Sequence, residues 1–181
     1  DANGCTQNQS ITITPPNPVV ATPAITSNFN GFNVSCFGSN NGAATVTATG
    51  GTPGYTYFWS NFSNQASASN LSAGTYTVTI TDANGCTGNG SVTLTNPPQL
   101  IAAAAITSNF NGFNVSCFGS NNGTALASAS GGVPAYSYLW SNAVNTATNN
   151  NLSATNYSVT VTDQNNCTST ASITLTQPTQ L

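Results

Sequence analysis

The chain has 181 residues, of which only 2% are charged; it contains no Lys, Arg or His, and its acids are Asp1, Asp82 and Asp163. Soluble domains carry about 25% charged residues, so whole classes of function fall away. There is no cationic footprint for nucleic-acid phosphates or an anionic membrane surface. Without His, Lys or Glu no Ser-His or Cys-His nucleophile pair can be assembled, so neither an enzyme nor a cofactor is expected.

The apolar content of 38% is sufficient for a core, whereas disordered chains combine low hydrophobicity with high net charge. No apolar run approaches the roughly 18 residues of a membrane-spanning helix, so membrane insertion is not expected. Residues 1–19 begin with DANGC and carry ITIT at 11–14, followed by the Pro-rich joint PPNPVVATP (15–23), a short stiff linker. AITSNFNGFNVSCFGSNNG (24–42) leads into AATVTATGG, where Ala44, Val46 and Ala48 share one side before a Gly-Gly break. YTYFWS places Tyr55, Tyr57 and Trp59 on one face of an aromatic strand. In TYTVTITD, Tyr76, Val78 and Ile80 alternate with Thr, the period of a half-buried strand. Asn84-Gly85 predicts a two-residue hairpin turn. On the returning strand Cys86, Val92 and Leu94 share one parity, which predicts a cysteine on the apolar face. NPPQL (96–100) is a second joint, and no segment shows a helical stripe.

The order then starts again. The nineteen residues 24–42 return unchanged at 105–123, and Cys36 and Cys117, Trp59 and Trp140, and Asp82 and Asp163 all differ by 81. The organisation read from this period is a tail of a preceding repeat at 1–19, one repeat at 20–100 and another at 101–181.

Cys36 and Cys86 lie 50 apart, as do Cys117 and Cys167. We read them as two disulfides, Cys36–Cys86 and Cys117–Cys167, and take Cys5 as orphaned because its partner would lie before the first residue. Buried free thiols are the bland alternative. A metal site is disfavoured, because no CxxC or Cys-His spacing offers four ligands. Disulfides imply an oxidising, extracellular setting.

About seven short runs between turn signals in each repeat predict an all-β fold of tandem Ig-like β-sandwich modules, one disulfide per module. The order Cys36, Trp59, Cys86 is similar to the immunoglobulin pattern of two cysteines bracketing a core Trp. The Tyr two residues before the second Cys is missing, which leaves the strand order open.

The succession SCFGSNNGAATVTATGGTPGYTYFWSN, NLSAGTYTVTITDANGCT and SVTLTNP resembles the SprB-type repeat over essentially the whole chain. Such repeats stand in tandem in very large surface proteins of Bacteroidetes, including the mobile adhesin of gliding flavobacteria, which are exported by the type IX secretion system. The resemblance implies a cell-surface, extracellular filament segment, and it brings no catalytic residues.

The remaining motifs are read conservatively. The Thr runs are the solvent face of amphipathic strands rather than an ice-binding plane. Asp82 and Asp163 are turn initiators rather than calcium ligands, since calcium wants six to eight oxygens. Trp59, Trp140, Tyr76 and Tyr157 are core aromatics rather than sugar platforms. Phe29, Phe32, Phe110 and Phe113 are candidates for packing at the module junction. The expected function is a mechanical stalk whose partners are neighbouring repeats of the same chain, with other filament strands or surface polysaccharide as further candidates. The alternatives are a carbohydrate- or surface-binding module and a pilus-like fibre assembled by strand donation.

Overall fold

The structure, a computed structural model, describes residues 2–181. It contains two successive sets of six antiparallel strands, with no helix among the described residues. The first set is β1 (Val20–Ile25), β2 (Gly42–Thr49), β3 (Thr56–Trp59), β4 (Ser67–Leu71), β5 (Gly74–Thr81) and β6 (Thr87–Leu94). The second is β7 (Ile101–Ile106), β8 (Gly123–Ser130), β9 (Ser137–Trp140), β10 (Thr148–Leu152), β11 (Asn156–Thr162) and β12 (Thr168–Thr174).

Each set forms two three-stranded sheets, β1-β2-β4 with β3-β5-β6, and β7-β8-β10 with β9-β11-β12. This is the immunoglobulin order, with first, second and fifth strands on one sheet and third, sixth and seventh on the other, minus the fourth strand. The count is therefore six rather than about seven. The stretch between β1 and β2 supplies a tight Phe29–Phe32 pair, and the N–H groups of Asn33 and Val34 donate to the Thr95 carbonyl, but no ladder forms.

Alternation explains the sandwich. Ala44 and Val46 on one sheet face Val78 and Ile80 on the other, with Trp59 and Leu94 between them, all buried in one cluster. The second core repeats it with Ala125, Ala127, Trp140, Val159 and Leu175. Leu126, which replaces Thr45 on the outward side of β8, is exposed. Thr hydroxyls line the outer face, and the Thr75 and Thr93 hydroxyls meet across β5 and β6 at 2.8 Å.

Each sandwich has two distinct ends. At the entry end the incoming chain (Pro18, Val19) crosses Gly50 and Gly51 beside the turn Asp82–Cys86. At the exit end lie the loop before β2 and the departing Thr95. The eight residues of β6 separate these ends, about 26 Å at the rise of a strand.

Candidate functional site: the joint between the two sandwiches

The exit end of the first sandwich meets the entry end of the second, and a disulfide closes the contact. It joins Cys36 to Cys167, with Cα atoms 5.8 Å apart, inside the range a disulfide accepts. The pairing within each repeat, Cys36–Cys86 and Cys117–Cys167, is thus corrected: Cys86 and Cys117 carry exposed thiols. The physical reason is the length of the sandwich. Cys36 sits at the exit end and Cys86 at the entry end of the same unit, separated by the length of β6, far beyond the roughly 7 Å Cα limit. The disulfide therefore spans two sandwiches, so the expectation of one per module gives way to one per joint.

The parity reading of Cys86 changes for a related reason. The turn is a three-residue loop: the Asp82 N–H donates to the Cys86 carbonyl at 2.9 Å, and the Gly85 N–H donates to the Asp82 carbonyl at 3.0 Å. Gly85 alone takes the positive φ, +83°, which is the three-residue geometry rather than the two-residue one. Cys86 thus ends a loop outside the inward alternation of β6. In the second sandwich Asn166 fills the same left-handed position, with φ +63°.

The loop is held by its aspartate. One Asp163 oxygen accepts the N–H groups of Asn165 and Cys167, each at 2.9 Å, and the other accepts the Val133 N–H at 2.8 Å. Asp82 makes the equivalent three bonds with Asn84, Cys86 and Thr52. The Thr52 N–H foremost, then those of Cys86 and Asn84, holds the Asp82 carboxyl below its ordinary pKa, against a smaller opposing effect of burial. These oxygens are occupied by backbone donors, the role of a turn-shaping carboxylate.

The loop presents Asn165 to the first sandwich. Its Nδ2 donates to the carbonyls of Ser35 at 2.9 Å and Phe29 at 3.3 Å, and its Oδ1 accepts from Asn30 Nδ2 at 2.6 Å. Asn30 is positioned by its left-handed backbone, φ +51°, at the tip of the Phe29–Phe32 turn. Phe29 and Phe32 thus stand at the joint, but it is the Phe29 carbonyl that makes the hydrogen bond. Sequence reasoning passed over Asn30, Ser35 and Asn165. Their signal was present: Asn165 keeps the phase of Asn84 although its neighbours differ.

Behind the disulfide, Leu100, Val161 and Cys167 are buried together, with Tyr136 and Tyr138 packed on them. The linker is pinned in turn. The Gly132 N–H donates to the Pro98 carbonyl at 2.9 Å, and the Ala102 N–H to Ser169 Oγ at 3.0 Å. A cleft of about 400 Å³ runs beside the bridge between Phe37 and Asn166. Trp59 and Trp140 lie away from the joint, fully buried, their indole N–H groups each donating to a loop carbonyl at 3.0 Å. Tyr157 is buried and Tyr76 half-buried on matching strands, while Phe110, Phe113 and Cys117 stand exposed at the exit end of the second sandwich, and Cys5 is exposed in the leading segment. No group of three or more metal-ligating side chains occurs among the described residues.

The family comparison agrees with the 81-residue repeat. Residues 32–64 and 113–145 each match the family described as SprB repeat. Each sandwich thus contains one segment similar to the SprB repeat. Each matched segment contains the first cysteine of its repeat, Cys36 or Cys117, and reaches past the core Trp. Among solved structures, a chain described under "Structural basis for Dscam isoform specificity" is similar at 14% identity and TM-score 0.34, over 88% of this chain and 46% of that one. This chain thus spans less than half the length of that structure. No curated protein matches.

Proposed function

We propose that the chain is a load-bearing stalk segment of a large extracellular cell-surface adhesin, whose tandem SprB repeats hold a distal adhesive region away from the cell. The observation that carries this reading is the Cys36–Cys167 staple across the joint. Tension applied between the chain termini has two routes through the joint, the six-residue linker from Thr95 to Leu100 and the disulfide. The second route is covalent and bypasses everything between Cys36 and Cys167, including both Trp-centred cores and most of their strands. A sandwich lying inside a covalent bypass is shielded from the force that would unravel it.

The bypass also stiffens the joint. Two separated connections resist rotation more than one, and the Asn165 hydrogen bonds fix the angle between them. The near-absence of charge suits a filament whose surface is neutral hydroxyl and amide. The lack of Lys and Arg removes every site for trypsin-like proteases. A disulfide at the joint fits an oxidising, extracellular location.

The test is single-molecule extension of the two-repeat protein from its ends. The staple encloses a sequence separation of 131 residues, about 440 Å of extended chain. Under oxidising conditions that length stays locked, and addition of a thiol reductant should release it in the same molecules. Equal extension with and without reductant would refute the load-bearing role.

A further inference from the structure

In YTYFWS the alternation that sends Trp59 into the core sends Phe58 outward. Trp59 is fully buried, and Phe58 stands on the outer face of β3, 57% exposed. The chain then turns at once. The Phe62 N–H donates to the Trp59 carbonyl at 2.8 Å, and the Trp59 N–H to the Ser63 carbonyl at 2.9 Å. This turn holds Phe62 in the left-handed region, φ +67°, and leaves it 83% exposed. The two rings meet edge to face, with centroids 6.3 Å apart and planes at 70°. The fold does not require them. The second sandwich makes the same turn with Ala143 at φ +67° in place of Phe62, and an exposed Leu139 in place of Phe58.

The rings border a polar groove. Strand register sets Phe58 opposite Thr79 and Thr79 opposite Asn89, and residues directly opposite share a face. That row crosses three strands, about 10 Å. The next row sets Thr77 opposite Ser91, and Thr77, Thr79, Asn89 and Ser91 line a shallow cleft of about 390 Å³. Thr79 Oγ1 donates to Asn89 Oδ1 at 2.8 Å. The amide is thereby oriented, and its two Nδ2 hydrogens are left for a ligand. The counterpart row in the second sandwich is Leu139, Thr160 and Thr170, with neither ring nor amide. The groove lies on the flank of the first sandwich, midway along the β5–β6 ladder, and Thr77, Asn89 and Ser91 are exposed with the joint closed.

We infer that this flank is a binding site for an uncharged hexose polysaccharide, carried by the first sandwich in addition to its place in the stalk. The occupant follows from the chemistry of the face. It has no charged side chain, so an anionic glycan, a phosphate-bearing membrane or a nucleic acid finds no counter-charge. Two rings are too small an apolar area for a stable protein partner, which needs about 800 Å² on each side. A pyranose fits both parts of the face. Its C–H side lies against the electron-rich face of an aromatic ring. Its hydroxyls, which donate and accept, pair with the Thr77, Thr79 and Ser91 hydroxyls and the Asn89 amide, which between them do the same. An open groove suits a polymer lying along it rather than a single sugar enclosed in a pocket.

The test is native electrophoresis of the two-repeat protein through gels that each contain one soluble polysaccharide: laminarin, hydroxyethylcellulose, galactomannan or, as the anionic control, alginate. At least one neutral polymer should retard the protein, and alginate should not. Phe58→Leu and Phe62→Ala copy the residues of the second sandwich, which folds with them. Each should weaken the retardation roughly fivefold, and the two together should abolish it. Asn89→Thr, copied from the same place, should also cost roughly fivefold, while Leu139→Ala in the second sandwich should change nothing. In amide NMR spectra the retarding polymer should move Thr79 and Asn89 and leave Thr160 and Thr170 in place. No retardation by any of the neutral polymers, or retardation unchanged in the double variant, would overturn the proposal. Equal retardation by alginate would do the same, as would self-association in sedimentation that the double variant abolishes, since the rings would then belong to a contact between copies. None of these outcomes bears on the force-bypass reading, which is tested by extending a single molecule without glycan.

Discussion

The two exit ends of this protein have the same nineteen residues and different surroundings. At the first, Cys36 is bonded to Cys167 and half-buried, and Phe29 and Phe32 are half-buried. At the second, Cys117 is an exposed thiol, and Phe110 and Phe113 are 36% and 38% exposed. Since the sequence and the local backbone are identical, the difference comes from what sits on top. The pair is therefore an internal control: substituting the same residue at both places subtracts everything local and leaves the contribution of the joint. The comparison isolates what a following sandwich adds to an exit end, separately from what the end's own residues supply.

The largest expected effect comes from the bridge itself. Closing a loop with a separation of 131 residues removes about 5 kcal/mol of unfolded-state entropy in the loop-closure model. Cys36→Ser should lower the unfolding free energy, read from denaturant titration, by a large part of that, whereas Cys117→Ser should change it by less than about 0.5 kcal/mol. Equal effects from the two substitutions would erase the contrast between covered and bare ends.

Next in size is Gly131, which lets the linker cross the second sandwich. Its φ is +70°, and a Cβ there would stand 1.9 Å from the Gln99 carbonyl oxygen. Gly50 has the same problem with Pro18, at φ +72° and 2.0 Å. Alanine at either position should destabilise its own sandwich by about 2–3 kcal/mol through backbone strain. Only Gly131→Ala displaces the linker of the joint, so only that variant should speed reduction of Cys36–Cys167 by a small thiol. A rate unchanged in Gly131→Ala would show that the linker does not align the bridge.

A finer comparison subtracts one asparagine from another. Asn30 and Asn111 share a φ of +51°, so alanine costs both the same left-handed strain. Only Asn30 reaches across to Asn165, at 2.6 Å. Asn30→Ala should therefore cost about 1 kcal/mol more than Asn111→Ala in denaturant unfolding. A zero difference would assign the joint to the disulfide and the apolar cluster around Leu100 alone.

Much of the fold was legible because strand alternation is local. Ala44 and Val46 inward, Val78 and Ile80 inward and Trp59 between them follow from residue spacing, and these are buried. The pairing of cysteines was not legible in the same way. In a chain of period 81, Cys86 and Cys167 share one phase relative to Cys36, so spacing cannot choose between them. The choice is made by which end of the sandwich each cysteine occupies, a property of strand order. That order can be reached from sequence by one further step: in a sandwich of immunoglobulin topology, the loop before the second strand and the hairpin between the last two strands lie at opposite ends. Cys36 is in the first and Cys86 in the second. The side-chain contacts of Asn165 were out of reach altogether, because they depend on the angle between two sandwiches and not on either alone.

The smallest expected effect concerns acid, and it sharpens the comparison at the entry ends. Asp82 braces the bare loop through the N–H groups of Thr52, Asn84 and Cys86, and these hold its carboxyl below the ordinary value of 3.8. A carboxyl with a lowered folded-state pKa contributes stability that is fully present above the unfolded value and is lost as pH falls through the folded one. From neutral pH down to about pH 4 the loop should therefore stay intact. Below that, as Asp82 takes up a proton, amide exchange at Thr52, Asn84 and Cys86 should quicken before exchange in the core of β5. Asp82→Asn should show the quickened exchange already at neutral pH and no further change on acidification. Protection at these three amides that persists unchanged well below pH 3 would show that neutral contacts, such as Asn84 with Thr52, hold the loop without the charge.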